Sequence, residues 1–292
     1  MAKVTTVGQR IEAAAARFDA AGLHFGHGTH DAYDEAAWLM LHALEAPIDD
    51  LEARLDHVPT AAQVQRFEAL VAARIEKRIP AAYLINEAWL GEHRFYVDER
   101  VIVPRSFIAE LLADELAPWV VDPAQVGTVL DLCTGSGCLA ILAALTFPNA
   151  RVDAVDLSEE ALAVAERNVT DYGLEQRVNL IRSDLFRSVP AKRYDLILSN
   201  PPYVDAPSMK ALPAEYRHEP AMALGSGRDG LDATRVILRE AKKHLADDGL
   251  LVVEIGHNRE RLERAFPHLP FTWLEVSAGD EFVFLLERRQ LP

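Results

Sequence analysis

Four consecutive residues, Asn200-Pro201-Pro202-Tyr203, combine an amide, a double proline and an aromatic ring. They follow an apolar run, Tyr194-Asp195-Leu196-Ile197-Leu198-Ser199, that reads as a buried strand. Two prolines remove two backbone donors and hold two φ angles near about −65°, so a central strand must end there. The stiff loop then stands at a strand's carboxyl end, where open α/β sheets bind their ligands. The Asn200 side-chain oxygen can accept one N–H of a planar nitrogen, and the carbonyl of Pro201 or Pro202 can accept the other. Two such bonds turn a delocalised lone pair toward an electrophile and favour the pyramidal nitrogen. Tyr203 can pack on the flat face of the same group. No strong general base is needed, because the nitrogen becomes acidic once alkylated. The competing reading is a structural turn with a packed tyrosine.

A second constellation is Asp131-Leu132-Cys133-Thr134-Gly135-Ser136-Gly137, directly after an apolar strand. Gly135, Gly137 and Ala140 match the glycine pattern that lets a ligand approach the backbone and lets a helix start close against its strand. Asp156 ends the next strand about 20 residues on, where a carboxylate can accept ribose hydroxyls. These features indicate an adenosine cofactor without choosing one. Asp131 suits the ammonium of a methionine tail, whereas beside a pyrophosphate it would be repulsive. Ser183-Asp184-Leu185-Phe186 ends a third strand with a polar group for an adenine amine and apolar groups for its face. A hydride-transfer enzyme has no need of the Asn-Pro-Pro-Tyr tetrad. Together the residues point to S-adenosylmethionine and methyl transfer to a planar nitrogen.

The elements that must position these groups alternate from residue 128 onward, which predicts a doubly wound, Rossmann-like parallel sheet. Strands are expected at 129–130, 152–155, 178–181, 194–198 and 250–255, with an antiparallel closing pair at 271–276 and 282–286. Helices are expected at 138–147, after Ser158, at 231–245 and at 259–266. Residues 204–230 carry neither period and read as a long loop, functional or disordered, with Gly225, Gly227 and Gly230 near its end. Residues 1–83 read as a small helical domain, with Val7, Ile11, Ala14, Ala15 and Phe18 at helical spacing. Thr60 is placed to cap a helix bearing Val64, Phe67, Val71 and Ile75. His24, His27 and His30 lie among glycines and read as a solvated loop rather than a metal site. Residues 84–105 form a connector, with a β-hairpin around Gly91 and a further extended piece at 101–103. The catalytic domain spans 106–292, with Ser106 as a candidate cap for its first helix.

Composition removes several classes of function. The chain has 292 residues and is half hydrophobic, enough for a sizeable core. Thirty basic against 45 acidic residues give a net charge of −15, which disfavours a broad phosphate-binding face. The same charge suits a basic protein partner. Two cysteines, Cys133 and Cys138, supply neither a disulfide framework nor a zinc set, and both read as small packing residues. The first residues lack the apolar core of a signal peptide, and no apolar run nears the roughly 18 residues of a membrane span. A cytoplasmic protein with no metal and no membrane contact is expected.

The glycine loop, Asp156, Asp184 and the tetrad resemble the class I S-adenosylmethionine-dependent methyltransferases that modify glutamine side-chain amides. The resemblance runs over nearly the whole chain. It is greatest to the branch acting on the third large-subunit ribosomal protein, carried by Val101-Ile102-Val103-Pro104-Arg105-Ser106 and Glu215-Tyr216-Arg217-His218-Glu219-Pro220. The branch acting on peptide-release factors reads Pro-Arg-Pro followed by acidic residues at the first of these.

The resemblance implies that Asp131, Cys133, Thr134, Gly135, Ser136 and Gly137 belong to the cofactor loop, with Gly135 and Gly137 at the methionine part. It puts Asp156 on the ribose, and Asp184 and Leu185 on the adenine. Asn200 would contact cofactor and substrate, with Pro201, Pro202 and Tyr203 framing the glutamine. Thr134 stands where many relatives carry glycine and should narrow the loop. Arg105 is a candidate for the cofactor carboxylate, with a structural role as its alternative. The partner implied is a basic ribosomal protein, free or on an assembling large subunit, with no direct reading of nucleic acid.

Three further readings stay beside it. The first is the release-factor enzyme, with the same chemistry on a different protein. A DNA adenine methyltransferase uses a similar tetrad but should carry a basic cleft. A non-catalytic ribosome-assembly factor would be free to lose the tetrad.

Overall fold

The structure is a computed structural model and describes residues 5–292. Met1, Ala2, Lys3 and Val4, which the sequence pattern counts with the N-terminal helical domain, lie outside the described residues. The chain divides into two compact units. The first runs through Ala88 and also takes in Pro213–His218; the second is Trp89–Leu212 and Glu219–Pro292.

The first unit is built from α1 (Val7–Ala20), α2 (Ala32–Leu44), α3 (Leu51–Arg54), α4 (Ala61–Lys77) and α5 (Ala81–Ile85). Capping boxes start α1 and α4: Thr6 and Thr60 accept from the backbone of Gln9 and Gln63, whose side chains return the bond. The apolar stripe predicted for α1 is buried in full, Val7, Ile11, Ala14, Ala15 and Phe18 together. On α4 the buried face holds Phe67, Val71 and, unexpectedly, Arg74.

Burying a guanidinium requires complete pairing. Arg74 Nε donates to Glu35 at 2.6 Å, Nη1 to Glu215 at 3.3 Å and Nη2 to the carbonyl of His24 at 2.8 Å. Thr29 donates to the second Glu35 oxygen at 3.0 Å. Arg78 shares Glu215 at 3.3 Å. In the histidine loop His24 and His30 are exposed, as the solvated reading expects, but His27 is buried, with its ring 4.4 Å from that of Tyr216.

The hairpin of β1 (Ala88–Leu90) and β2 (His93–Phe95) falls at the boundary, with all but Ala88 in the second unit. The extended piece expected at 101–103 joins no ladder. Val101 and Val103 are buried instead, and Val103 N donates to Glu219 at 3.0 Å. The rest alternates as α6 (Ile108–Ala113), β3 (Thr128–Leu132), α7 (Cys138–Thr146), β4 (Arg151–Asp156), α8 (Glu159–Asp171), β5 (Val178–Arg182) and β6 (Tyr194–Ser199). After α9 (Ala206–Ala211) and α10 (Ala221–Leu224) come α11 (Asp232–His244), β7 (Leu245–Glu254), α12 (Arg259–Ala265), β8 (Thr272–Val276) and β9 (Gly279–Glu287). The expected structureless loop at 204–230 therefore carries short helices, capped at α9 by Asp205 accepting from Ser208.

The seven-stranded sheet has the order β5-β4-β3-β6-β7-β9-β8. Strands β3 to β7 pair in parallel, and β9 closes antiparallel on β7 and β8. Its two faces bury separate apolar layers. Ile141, Phe147, Val152 and Leu196 belong to one, and Leu130, Ile197, Ile237, Leu238 and Leu262 to the other. The chain winds outward from β3 to β5, then returns to lay β6 on the other side of β3. Loops at the carboxyl ends of β3 and β6 diverge at that reversal, which opens a crevice. No helix among the described residues is long and apolar enough to cross a membrane.

Candidate active site

The glycine turn after β3 is held from behind. Thr134 N donates to the carbonyl of Val155 at 2.9 Å, and Asn168 Nδ2 donates to that of Ser136 at 2.8 Å. Cys133 takes φ of 62°, a left-handed conformation costly for a side chain that is not glycine. Gly137 must be glycine twice over: its φ is 81°, and an added Cβ would stand 3.1 Å from the Cβ of Ala165 on α8. At Gly135, with φ of 55°, an added Cβ would meet nothing within 4 Å, because this residue faces the crevice.

Asp156 links the turn to the next strand. Its Oδ2 accepts Gly135 N and its Oδ1 accepts Ser158 N, both at 2.9 Å. Asp156 also lines the crevice, and a carboxylate oxygen can accept more than one hydrogen bond. Burial raises the Asp156 pKa, against the backbone donors of Ser158, Gly135 and Leu157.

Asp131 lies deeper and is fully buried. Its Oδ2 accepts the Thr134 hydroxyl at 2.5 Å, while Oδ1 has no hydrogen-bond partner among the described residues. Desolvation by burial pushes this carboxyl up to about 7. Burial and the neighbouring carboxylates likewise hold Cys133 far above the usual thiol range, and burial pushes Cys138 up to about 12. Both are neutral thiols at ordinary pH.

The tetrad follows β6, where Ser199 donates to the carbonyl of Leu132 at 2.9 Å and so ties the two strand ends together. Asn200 and Pro202 line the crevice, and Pro201 is buried. The Asn200 carboxamide makes no hydrogen bond among the described residues. Beyond it the chain pairs with the segment before α11: Val204 N donates to Leu224, Ser226 N to Val204 and Ala206 N to Gly227, at 2.8, 2.9 and 3.0 Å.

Tyr203 is fixed from two sides. Its carbonyl accepts Asn258 Nδ2 at 2.8 Å, and a Cβ on Gly230 would lie 2.4 Å from the same oxygen. Its ring lies on Gly256, where an added Cβ would fall 2.7 Å from Cε2. Asp205 pairs with Arg261 at 2.5 Å; Ser208 donors and that arginine push its carboxyl down to about 2.

The crevice holds about 400 Å³, the size of a cofactor site. Leu157, Ala161 and Leu185 supply apolar wall on the side of β4 and β5, and Asp184 supplies a carboxylate there. Leu185 sits at φ of 48°, a second non-glycine residue in the left-handed region at this wall. Met222 and Pro220, from the segment around α10, also line the crevice.

These residues suit S-adenosylmethionine. There is a backbone cradle free of side chain at Gly135 and, beside it on the crevice wall, a carboxylate at Asp156.

The structure thus brings Cys133, Gly135, Asp156, Asp184, Leu185, Asn200 and Pro202 around one crevice. Asp131, Thr134, Ser136 and Gly137 stand behind that wall and shape the turn. Arg105 is turned elsewhere: Nη1 and Nη2 fork onto Glu219 at 2.5 and 2.7 Å. Ser106 donates to buried Glu254 at 2.6 Å as well as accepting from Ile108 N at 3.2 Å. Asn168, Gly256 and Asn258 escaped the sequence reading, while Gly230 left a trace in the glycines closing the 204–230 loop and Glu219 in the branch motif, with no partner assigned to it. Each acts through a partner distant in the chain.

Two family models match the chain: "Methyltransferase small domain" over residues 109–215 and "PrmC N-terminal domain" over residues 11–85. The ribosomal protein uL3 glutamine methyltransferase of Neisseria meningitidis serogroup B is 57% identical over 289 residues, covering 99% of this chain and 95% of its own. The chain belongs to the ribosomal protein uL3 glutamine methyltransferase family. The enzyme of that name from Burkholderia pseudomallei is 55% identical over 294 residues, covering 98% of this chain and 96% of its own.

Among solved structures, the hMettl16 catalytic domain, crystallised with a MAT2A 3′UTR hairpin, superposes with a TM-score of 0.51. It is 16% identical and covers 87% of this chain and 90% of its own, a likeness of fold alone. The family's methyl donor is S-adenosylmethionine.

Proposed function

We propose that this protein methylates the side-chain amide nitrogen of a glutamine in ribosomal protein uL3. The observation that carries the reading is the free Asn200 carboxamide facing the crevice, on a loop braced at Tyr203 by Asn258, Gly230 and Gly256. Near-full-length identity to enzymes of that name supports the choice of substrate.

The cofactor supplies an electrophilic methyl group; the rest is positioning by the chain. Asn200 Oδ1 accepts one N–H of the glutamine amide, and a carbonyl of Pro201 or Pro202 accepts the other. The lone pair is thereby lifted out of conjugation and aimed at the methyl group. Tyr203 packs on the amide face and excludes water. Asp156 holds the ribose while keeping Gly135 in place; Asp184 and Leu185 take the adenine. The methylated nitrogen sheds its proton to water, so no buried base is required.

The helical unit through Ala88 is the substrate-recognition domain in this reading. It carries no catalytic constellation, and the net charge of −15 suits a basic ribosomal protein, free or on an assembling large subunit in the cytoplasm. Exchanging that unit with the release-factor branch should exchange the substrate; an unchanged preference in the chimera refutes this role.

The reaction is tested with methyl-labelled S-adenosylmethionine and three purified acceptors: uL3, a release factor and unmethylated DNA. Label mapped to a uL3 glutamine is the expected result. Label on the release factor keeps the mechanism and moves the substrate, and label on DNA overturns both. Cofactor binding without label anywhere returns the reading to a non-catalytic assembly factor or a substrate displayed only on a ribosomal intermediate.

A further inference from the structure

S-adenosylmethionine brings an α-carboxylate into a crevice whose walls already include Asp156, Asp184 and Asp232. An anion among carboxylates needs a cation beside it. Arg105, the candidate from sequence, is committed to Glu219 through both terminal nitrogens. Among the crevice-lining residues the basic side chain is Arg100.

The guanidinium of Arg100 is oriented by one edge. Nε donates to Asp98 Oδ1 at 2.8 Å and Nη2 to Asp98 Oδ2 at 2.6 Å. Nη1 makes no hydrogen bond among the described residues and keeps two N–H donors. Asp98 is itself held by the Tyr96 hydroxyl at 2.8 Å, and the Arg167 guanidinium covers the Tyr96 ring at 3.5 Å. The backbone of Tyr96 is tied to the glycine turn: its N–H donates to Asn168 Oδ1 at 2.7 Å, and Asn168 Nδ2 donates to Ser136 O at 2.8 Å. A continuous set of bonds therefore runs from Ser136, between Gly135 and Gly137, through Asn168, Tyr96 and Asp98 to Arg100. It ties a pre-oriented cation of the crevice wall to the glycine turn.

Resting on the cofactor reading above, we infer that Arg100 Nη1 binds the α-carboxylate of the cofactor, and that Arg105 does not. Asp98 sets the fork and offsets part of its charge, so the bond is of moderate strength. Removing it should weaken binding about tenfold.

The test separates the two ends of the ligand by equilibrium binding. S-adenosylhomocysteine carries the amino-acid tail, whereas 5′-methylthioadenosine shares the adenine and ribose and lacks it. Arg100→Ala should bind the first about tenfold more weakly than wild type and the second within about twofold of it. Arg105→Ala should melt lower, from loss of its pair with Glu219, while keeping the wild-type ratio between the two ligands.

An unchanged ratio in Arg100→Ala, or a changed ratio in Arg105→Ala, overturns the inference. Wild-type protein that bound neither ligand would instead overturn the cofactor reading beneath it, which keeps the two failures apart.

Discussion

Gly256→Ala tests whether the position of the Tyr203 ring sets the rate. The new Cβ would lie 2.7, 2.9 and 3.2 Å from three ring carbons. Carbon pairs are comfortable at about 3.5–4.0 Å, so the ring must retreat by about 0.8 Å or more. It cannot swing freely, because its own carbonyl is held by Asn258 at 2.8 Å and crowded by Gly230. The retreat is therefore passed to the Asn200-Pro201-Pro202 backbone. Residue 256 also has φ of 55°, which costs alanine about 1–2 kcal/mol. Overpacking adds about 1–3 kcal/mol. The variant should melt several degrees lower.

A misplacement near 1 Å costs about 100-fold in rate where catalysis is positional. The expected result is single-turnover methyl transfer slowed by about 100-fold, with S-adenosylhomocysteine binding within a few-fold of wild type. Gly256 is not part of the crevice wall, so cofactor affinity separates distortion from unfolding. A variant that melts lower yet transfers methyl groups within about twofold of wild type refutes the idea that Tyr203 frames the amide.

Three other outcomes follow from the same geometry. Asn200→Ala should lower turnover by about 100- to 1,000-fold while leaving S-adenosylhomocysteine affinity within a few-fold; near-wild-type turnover refutes the lone-pair argument. Burial pushes Glu254 up to about 7 despite its bonds from Ser106 and Phe107 N, so the folded protein holds that proton more tightly than the unfolded chain. Stability must then fall as pH rises from the ordinary glutamate range to about 7, and Glu254→Gln should remove roughly 3 kcal/mol of that dependence; parallel melting curves across the window refute it. Arg74→Met leaves Glu35 buried without its partner and should cost about 3–5 kcal/mol in denaturant unfolding, with a loss under about 1 kcal/mol counting against the ion network as a support of the helical unit.

Much of the molecule was readable from local chemistry. The alternation of apolar strands and helices from residue 128 requires a parallel sheet, and the structure has one. A double proline after an apolar run must end a strand, so Asn200 stands at a strand end in any fold that contains it. Glycines at 135 and 137 announced a backbone approached closely, and Thr6 and Thr60 announced helix starts that are present as full capping boxes. Each of these signals lies within a few residues of its effect.

What the sequence alone determined is therefore the inventory of chemistry and its attachment to strand ends. The tertiary structure decided which of those groups face the crevice. Asp131 and Thr134 turned inward to build the turn, while Cys133 and Gly135 turned out. Arg105 went to Glu219, more than a hundred residues away, and Arg100 was left on the wall. Arg74, on the apolar face of a helix, was matched by Glu35 and by Glu215 from the far side of the tetrad. The reason is physical: propensity and periodicity act over a turn or two of chain, whereas a buried charge is satisfied by whatever partner the fold brings within about 3 Å of it.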